Sequence, residues 1–459
     1  MEIDLKNFKH IYMIGIGGIS MSGIAEILVK WGYKVSGSDS SKSDQTEWLE
    51  KNGVKVNIGQ VEENITKDID LVVYTAAIKE DNPEIVKAKE LGIPTLERGF
   101  FLGEITKLFK DTIGIAGTHG KTSTTSMVSC AFLEAGLDPS IQVGAVLSNI
   151  EGNYRVGHSD YFIIEACEYC ESYLSFKQRS AIVLNIDDDH LDYFGNIDNI
   201  EKSFQKYVSH LPEDGYLVIN ADDERCCNLC NYTKAKVITV GSGQFADWYY
   251  EDLDFDDDGY PSYSAYYKGE KMGTIKLKVT GVHNVMNSLC CIALCDAYGI
   301  DIETIAKALL KFNGASRRLE YKGLFNGAKV YDDYGHHPTE IMATVRGLKN
   351  KKFNESWVVF EAHTFSRLVE HLKEFAKALV NFDHIVIMDI YPARETNTFN
   401  IHEEDLMKEL EGLGKESVHI SDYEEIVSYL KNRVKKDDII LTLGAGNVTK
   451  IAKLLVESK

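Results

Sequence analysis

Short runs of β-branched and aliphatic residues recur along the whole chain, each closed by a glycine-rich or acidic turn. Ile11-Tyr-Met-Ile14, Tyr33-Lys-Val-Ser36, Leu71 to Ile78 and Thr112 to Ala116 open the series. Tyr161-Phe-Ile-Ile-Glu165, Ala181-Ile-Val-Leu-Asn185 and Tyr216-Leu-Val-Ile-Asn220 continue it. Lys329-Val-Tyr-Asp332, Trp357-Val-Val-Phe360, His384-Ile-Val-Ile-Met388 and Asp438 to Leu443 close it. Runs this short and this apolar are expected of strands buried on both faces of a parallel sheet. Stretches with helical spacing of apolar positions lie between them, so the chain reads as α/β. Trp248 to Lys278 differs: it is tyrosine- and acid-rich and alternates as an antiparallel hairpin patch would. A loop is expected around Asn82-Pro83, after the strand that begins at Leu71.

The segment Thr112-Ile-Gly-Ile-Ala-Gly-Thr-His-Gly-Lys-Thr-Ser-Thr-Thr125 is a strand, a glycine turn and a helix start in succession. Gly117 and Gly120 let successive backbone N–H groups of the turn, including those of Thr118 and His119, point at one anion. Lys121 supplies a fixed charge, Thr122 a hydroxyl for Mg²⁺, and Ser123 a further donor at the helix start. Residues 121 to about 134 follow a helical pattern, which sets a helix N-terminus beneath the phosphates. The strict P-loop pattern places glycine where this chain has Ile115, yet strand, turn and Gly-Lys-Thr together predict binding of ATP or GTP. A second glycine turn, Gly15-Ile-Gly-Gly-Ile-Ser-Met-Ser-Gly23, also follows a strand and opens a helix. Gly15, Gly17 and Gly18, with Asp39 at the end of the next strand, resemble a dinucleotide-binding βαβ unit; Ser20 stands where an NAD fingerprint has its third glycine.

At 459 residues the chain exceeds what one hydrophobic core usually supports, so two or three domains are expected. Fifty Lys and Arg against 70 Asp and Glu give a net charge of −20, which disfavours nucleic acid and anionic membranes as partners. A nucleotide site must therefore build its own positive potential from Lys, Arg, Mg²⁺ and helix ends. No apolar run reaches the length of a membrane span, and the first residues do not read as a signal peptide, so a cytoplasmic location is expected. Nine cysteines without regular spacing argue against a disulfide framework. The pairs Cys167/Cys170 and Cys227/Cys230 have zinc-type spacing but read better as free thiols.

Polar residues crowd the ends of several predicted strands. Glu165 and Glu168 follow one strand, where an acid that coordinates Mg²⁺ or positions a nucleophile belongs. Asn185-Ile-Asp-Asp-Asp-His-Leu-Asp192 brings carboxylates together with His190, as a metal site or as an acidic cap on the next helix. Asp332-Asp-Tyr-Gly-His-His-Pro-Thr-Glu340 is too polar for core and leads into a helix starting near Pro338; a transition-metal site is an alternative use of its histidines. Arg317, Arg318, Arg367 and Arg394 lie at strand or loop ends, where guanidinium forks suit carboxylate and phosphate.

In order, these segments resemble the Mur ligase family, the ATP-dependent amide-bond-forming enzymes of peptidoglycan synthesis. The resemblance rests on the two glycine turns, Glu165-Ala-Cys-Glu168, Asp189-His190, His283-Asn-Val-Met-Asn287 and Arg317-Arg318. It extends through Asp332 to Pro338, His363-Thr-Phe-Ser-Arg367 and Tyr391-Pro-Ala-Arg-Glu395, and so covers almost the whole chain. It implies three domains: a Rossmann-like UDP-sugar-binding domain (1–108), a central P-loop-type ATPase domain (109–316) and a Rossmann-like amino-acid-binding domain (317–459). The first glycine turn and the Asp-Tyr-Gly-His-His-Pro motif point to the branch that adds L-alanine to UDP-N-acetylmuramic acid. Gly15, Gly17, Gly18 and Ser20 would then hold a uridine diphosphate, with Asp39 near the uridine. Lys121 and Thr122 would hold the terminal phosphates and Mg²⁺, and Glu165 and His190 would ligate Mg²⁺. Asn287, Arg318 and Asp333 match positions that contact ATP, while His336, Arg367 and Arg394 would face the amino acid and the muramyl carboxylate.

Glu361-Ala362 stands where the family usually has Gln-Pro, and near Gln205 the lysine that several Mur ligases carbamylate has no clear counterpart. Two neighbouring functions share nearly every motif: a ligase that recycles a ready-made peptide onto the same sugar nucleotide, and a non-catalytic nucleotide-binding homologue. A nicotinamide-dependent dehydrogenase would use Asp39 on a ribose but leaves the loop at Lys121 without a task. Either a monomer or a homodimer is compatible with the sequence.

Overall fold

The computed structural model describes residues 5–75, 77–147, 150, 152–314, 317–349, 351–393 and 395–458. Its chain contacts define two compact units, the first comprising 1–251, 264–273 and 286–309, the second 252–263, 274–285 and 310–459.

The first unit opens with a five-stranded parallel sheet, ordered Lys55–Ile58, Lys34–Asp39, His10–Ile14, Leu71–Tyr74, Thr95–Glu97. His10–Ile14 is buried along its whole length, as its apolar run requires. The expected loop ends at Asn82, and a helix starts at Pro83. Asn82 caps the helix Pro83–Glu90 by accepting from the Glu84 amide, and Pro83 takes the first helical position. Pro there forgoes only an N–H that would have no intrahelical partner.

The second sheet is built around Asp111–Ala116, buried throughout, with Ser180–Val183 and Tyr161–Glu165 parallel on either side. Tyr216–Asn220 and Lys236–Gly241 extend one side in parallel, and Ser140–Leu147 with Gly152–Arg155 complete the other. Trp248–Phe255, Pro261–Tyr267 and Glu270–Lys276 finish the ten-stranded order.

The second unit holds a six-stranded sheet, ordered Glu320–Phe325, Ala328–Asp333, Ile439–Leu443, Ser356–Phe360, His384–Ile387, Val418–His419. All neighbours are parallel except the first pair, an antiparallel hairpin. Separate apolar clusters, one containing Phe360 and Phe375 and the other Trp357 and Ile451, cover its faces. No helix among the described residues is long and apolar enough to cross a membrane.

Candidate active site

The phosphate loop runs from the strand end at Ala116 to the helix Lys121–Glu134, whose first residue is the lysine itself. Gly120 caps that helix at φ +86°, and a Cβ there would lie 2.9 Å from Asn287 Oδ1. Only glycine meets both the left-handed backbone and that close approach. The neighbouring parallel strand supplies the clamp. Asn185 Oδ1 accepts from the His119 amide (2.8 Å) and its Nδ2 donates to the His119 carbonyl (3.0 Å). The Asp187 amide donates to Thr118 Oγ1 (2.9 Å), and the Asp187 carboxylate lies 3.2 Å from His119 Nε2, a contact that holds it well below the usual carboxylate range.

Lys121 Nζ donates to the carbonyls of Gly117 (2.6 Å) and Thr118 (3.0 Å) and pairs with Glu168 at 2.9 Å. Burial opposes its charge, but the Glu168 carboxylate prevails and holds the ammonium above the ordinary lysine range. Thr122 Oγ1 donates to Glu165 Oε1 (3.0 Å), and the other oxygen of Glu165 accepts from the Gly144 amide (2.7 Å). A hydroxyl and a carboxylate at hydrogen-bond distance form the all-oxygen donor set that Mg²⁺ prefers. Ser123 follows within the first turn, partly exposed. His190 adopts φ +56° as the cap of the short helix Leu191–Phe194, and its ring packs 4.8 Å from that of Tyr169.

The first glycine turn lies at the carboxyl end of His10–Ile14. Gly15 and Ile16 donate backbone N–H groups to Ser38 O, and the Gly17 amide donates to Asp39 Oδ2 at 2.9 Å. Gly18 caps the helix Ile19–Lys30. Ser20 accepts from Arg98 Nη1 at 3.0 Å and lies 3.5 Å from the Tyr154 hydroxyl. Arg98 is thus a half-buried guanidinium beside a helix N-terminus, and among the described residues its only hydrogen-bond partner is the neutral Ser20 hydroxyl. A cation beside the positive end of a helix attracts anions.

In the second unit Asp332 and Asp333 end a buried strand. Asp332 accepts from the hydroxyls of Thr442 (2.6 Å) and Thr449 (2.7 Å) and pairs with Arg317 Nε at 3.3 Å. Asp333 accepts from the amides of Leu319 and Gly335, both at 2.7 Å. Burial raises it to about 6 against the pull of Arg318. Arg318 pairs with Glu340 at 3.3 Å, and the His336 amide donates to the same carboxylate at 3.1 Å. The rings of His336 and His363 lie 5.7 Å apart, and Arg367 Nη1 is 3.4 Å from His363 Nδ1. Burial lowers both histidines, His363 to about 4; the charge of Arg367 adds to the effect on each, and that of His336 to the effect on His363. Tyr391 stacks on His363 at 5.5 Å.

Glu361, the departure from the family's Gln, accepts from the Val448 amide at 3.1 Å and fits under the turn Gly444-Ala-Gly446. Arg317 binds that turn from above through the carbonyls of Gly444 and Ala445. A carboxylate therefore fills the place by accepting from backbone amides, and burial raises its pKa. Arg394 lies outside the described residues. Sequence reasoning passed over Arg98 and Tyr154, which no motif marks. Asn185, Asp187 and His363 stood inside quoted motifs, but their work depends on contacts across strands.

Sequence comparison gives the same grouping. The Mur ligase catalytic-domain model matches residues 10–110, the Mur ligase middle-domain model 115–295, and the glutamate-ligase-domain model 317–446. The chain belongs to the Mur ligase family. Those three matches fall one on each of the three sheets, the three-domain α/β arrangement expected of a Mur ligase. Similar members include UDP-N-acetylmuramate–L-alanine ligases from Acetivibrio thermocellus, 46% identical over 100% of this chain and 97% of that protein, and from Lachnospira eligens, 48% identical over 99% and 100%. The crystal structure of the UDP-N-acetylmuramate–alanine ligase from Thermotoga maritima superposes with a TM-score of 0.84 at 28% identity, covering 98% of this chain and 99% of that one. A murein peptide ligase from Psychrobacter arcticus shares the Mur ligase fold, with a TM-score of 0.71 at 24% identity over 97% and 98%.

Proposed function

We propose that this Mur ligase joins L-alanine to the lactyl carboxylate of UDP-N-acetylmuramic acid, converting ATP to ADP and phosphate through an acyl-phosphate. The observation that carries the reading is the phosphate loop with Lys121 and Thr122 set against Glu168 and Glu165, in a chain that aligns end to end with L-alanine ligases. We assign domains to 1–108, 109–316 and 317–459. Backbone amides from Gly117 to Gly120 and the ammonium of Lys121 hold the nucleotide phosphates, with Ser123 at the helix start and Asn287 beside Gly120. Arg318 and Asp333 match family positions that contact ATP. The glycines at 15, 17 and 18, with Ser20 and Asp39, take the uridine diphosphate, and Arg98 adds a charge there.

Thr122, Glu165 and His190 would hold Mg²⁺, and the oxygen pair of Thr122 and Glu165 fits that ion. Bound there, it would offset charge on the transferring phosphoryl group. The lactyl carboxylate attacks the terminal phosphorus, and Lys121 stabilises the charge gathering on its oxygens. The alanine amine then attacks the acyl carbon and phosphate leaves. His336 and Arg367, together with Arg394, orient the amino acid and the muramyl carboxylate. With both histidines lowered by burial, the guanidinium of Arg367 supplies the fixed positive charge for a carboxylate. ATP and UDP-sugar substrates place the reaction in the cytoplasm, and a monomer or homodimer suffices for it.

The test is phosphate release from ATP with Mg²⁺ and UDP-N-acetylmuramic acid, with L-alanine, other amino acids, a tripeptide or no acceptor. Release requiring both the sugar nucleotide and L-alanine, with the coupled product identified by mass, is the expected result. Preference for the tripeptide would make the chain a recycling ligase. Nucleotide binding without release would make it a non-catalytic homologue.

A further inference from the structure

Outside the site described above, one group of side chains in the second unit brings together mixed nitrogen and oxygen donors. Asp389 lies just past the strand His384–Ile387, His419 ends the adjacent parallel strand Val418–His419, and Glu403 is the first residue of the helix Glu403–Gly412. Each offers one ligand atom, and these atoms all lie within 4.8 Å of one another. His419 Nε2 is 2.8 Å from Asp389 Oδ1, which also accepts from the Ser421 hydroxyl at 2.6 Å. Glu403 is oriented by the Ile390 amide, which donates to its Oε1 at 2.8 Å.

Charge separates this group from an ordinary surface ion pair. One imidazole pairs with Asp389 and lies within 4.8 Å of the Glu403 carboxylate, and no Lys or Arg among the described residues pairs with either carboxylate. The side chains of Asp389 and His419 are 63% and 28% exposed, so water can complete a coordination shell.

We propose that Asp389, Glu403 and His419 form a binding site for a first-row divalent transition-metal ion, with Zn²⁺ as the fitting member. An imidazole with two carboxylates selects such ions over Mg²⁺ and Ca²⁺, which favour oxygen alone. Donors on one Zn²⁺ lie about 2.0–2.2 Å from it, so they sit roughly 3.3 Å apart in a tetrahedron. The present spacing reaches that value through side-chain torsions of the exposed Asp389 and the helix-end Glu403. Ser421 would orient Asp389 from outside the ligand shell.

The ion would tie both ends of the segment from Asp389 to Glu403. That segment carries Tyr391, bridged and stacked to His363, and Glu395, which accepts from the backbone amide and hydroxyl of Ser366. Metal uptake therefore stiffens a loop that packs against the His363 cluster. This inference stands apart from the ligase reading, because its test measures metal binding and melting rather than turnover.

The experiment titrates Zn²⁺, and separately Co²⁺, into the metal-stripped full chain by calorimetry, visible absorption and thermal melting. One equivalent is expected beyond any held by Thr122, Glu165 and His190, with the melting temperature rising on the order of 5 °C at hundredfold excess over the dissociation constant. The Co²⁺ spectrum should show no thiolate charge-transfer band. Asp389→Asn and His419→Gln should each abolish that equivalent and its melting shift while melting normally without metal. Should one of them unfold, Glu403→Gln takes its place. Undiminished uptake in these variants, a thiolate band, loss of uptake in Cys227→Ser, or no uptake by the unaltered chain would each overturn the site.

Discussion

Gly23 and Tyr154 are in contact so close that a Cβ on Gly23 would fall 1.6 Å from Tyr154 Cδ2. The helix that follows the first glycine turn thus lies flat on the ring of a tyrosine from the strand Gly152–Arg155. The same ring points its hydroxyl toward Ser20. Gly23→Ala relieves the helix of a poor helix former, yet overlap with a buried ring outweighs that gain. We expect a net loss of about 1–3 kcal/mol in urea unfolding. In a Tyr154→Ala background the same change should cost less, with a coupling of about 0.5–3 kcal/mol in the double-mutant cycle. Additivity within experimental error would mean that the ring moves aside freely.

That contact also marks the boundary of what the chain's pattern conveys. The apolar strands are legible because burial on both faces leaves little room for polar residues, and the Lys121–Glu134 helix because the Gly-Lys-Thr turn marks its start. Lys55–Ile58, Thr95–Glu97 and Val418–His419 are not, because short edge strands carry half-exposed, mixed residues with no period to read. Lys121 and Glu165 could be named from a loop motif and a strand end. Arg98, 59 residues past Asp39, reaches Ser20 only through the fold, and that contact cannot be guessed from neighbours in sequence. Glu361 shows the converse: a departure from the family pattern is accommodated because the backbone amide of Val448 can donate to the oxygen of either side chain.

The pair of Lys121 and Glu168 separates chemistry from stability. Their side chains are 12% and 2% exposed, so removing either charge strands the other. Lys121→Ala should lower phosphate release about a hundredfold or more and cost about 3–5 kcal/mol of stability. Adding Glu168→Gln should restore much of the stability and none of the activity. Full recovery of turnover in the double variant would remove Lys121 from the phosphate-handling role.

Arg98 tests the sugar-nucleotide end. Loss of a charge-assisted contact to a diphosphate costs about 1.5–3 kcal/mol, so Arg98→Ala should raise KM for UDP-N-acetylmuramic acid about tenfold to hundredfold. KM for ATP and kcat should change little, because Arg98 lies beside the first glycine turn rather than the phosphate loop. Arg98→Lys should recover only part of the loss, since a point charge cannot reproduce the fork. Equal increases in both KM values would indicate a general disturbance of the unit instead.

Among the groups through which acid should act on the second unit, His363 and Asp333 have opposite signs. Burial, with His336 and Arg367 nearby, lowers His363 from 6.5 to about 4. Its contribution to stability is therefore complete above pH 6.5 and is lost as the pH falls through about 4. Burial raises Asp333 from 3.8 to about 6, so its contribution is complete below pH 3.8 and is lost as the pH rises through about 6. In the window from pH 6.5 to 4 the two terms oppose each other, while His336 and His283, also lowered by burial, add to the loss on acidification, so the contribution of each member is read from the difference between its variant and the unaltered chain. His363→Asn removes the destabilising member, so its melting temperature should fall less on acidification than that of the unaltered chain. Asp333→Asn removes the compensating member and should fall more steeply between pH 6 and 4. Parallel profiles for all three proteins would mean that neither group is held away from its ordinary pKa, and that the neutral histidines invoked around Arg367 are charged like any others.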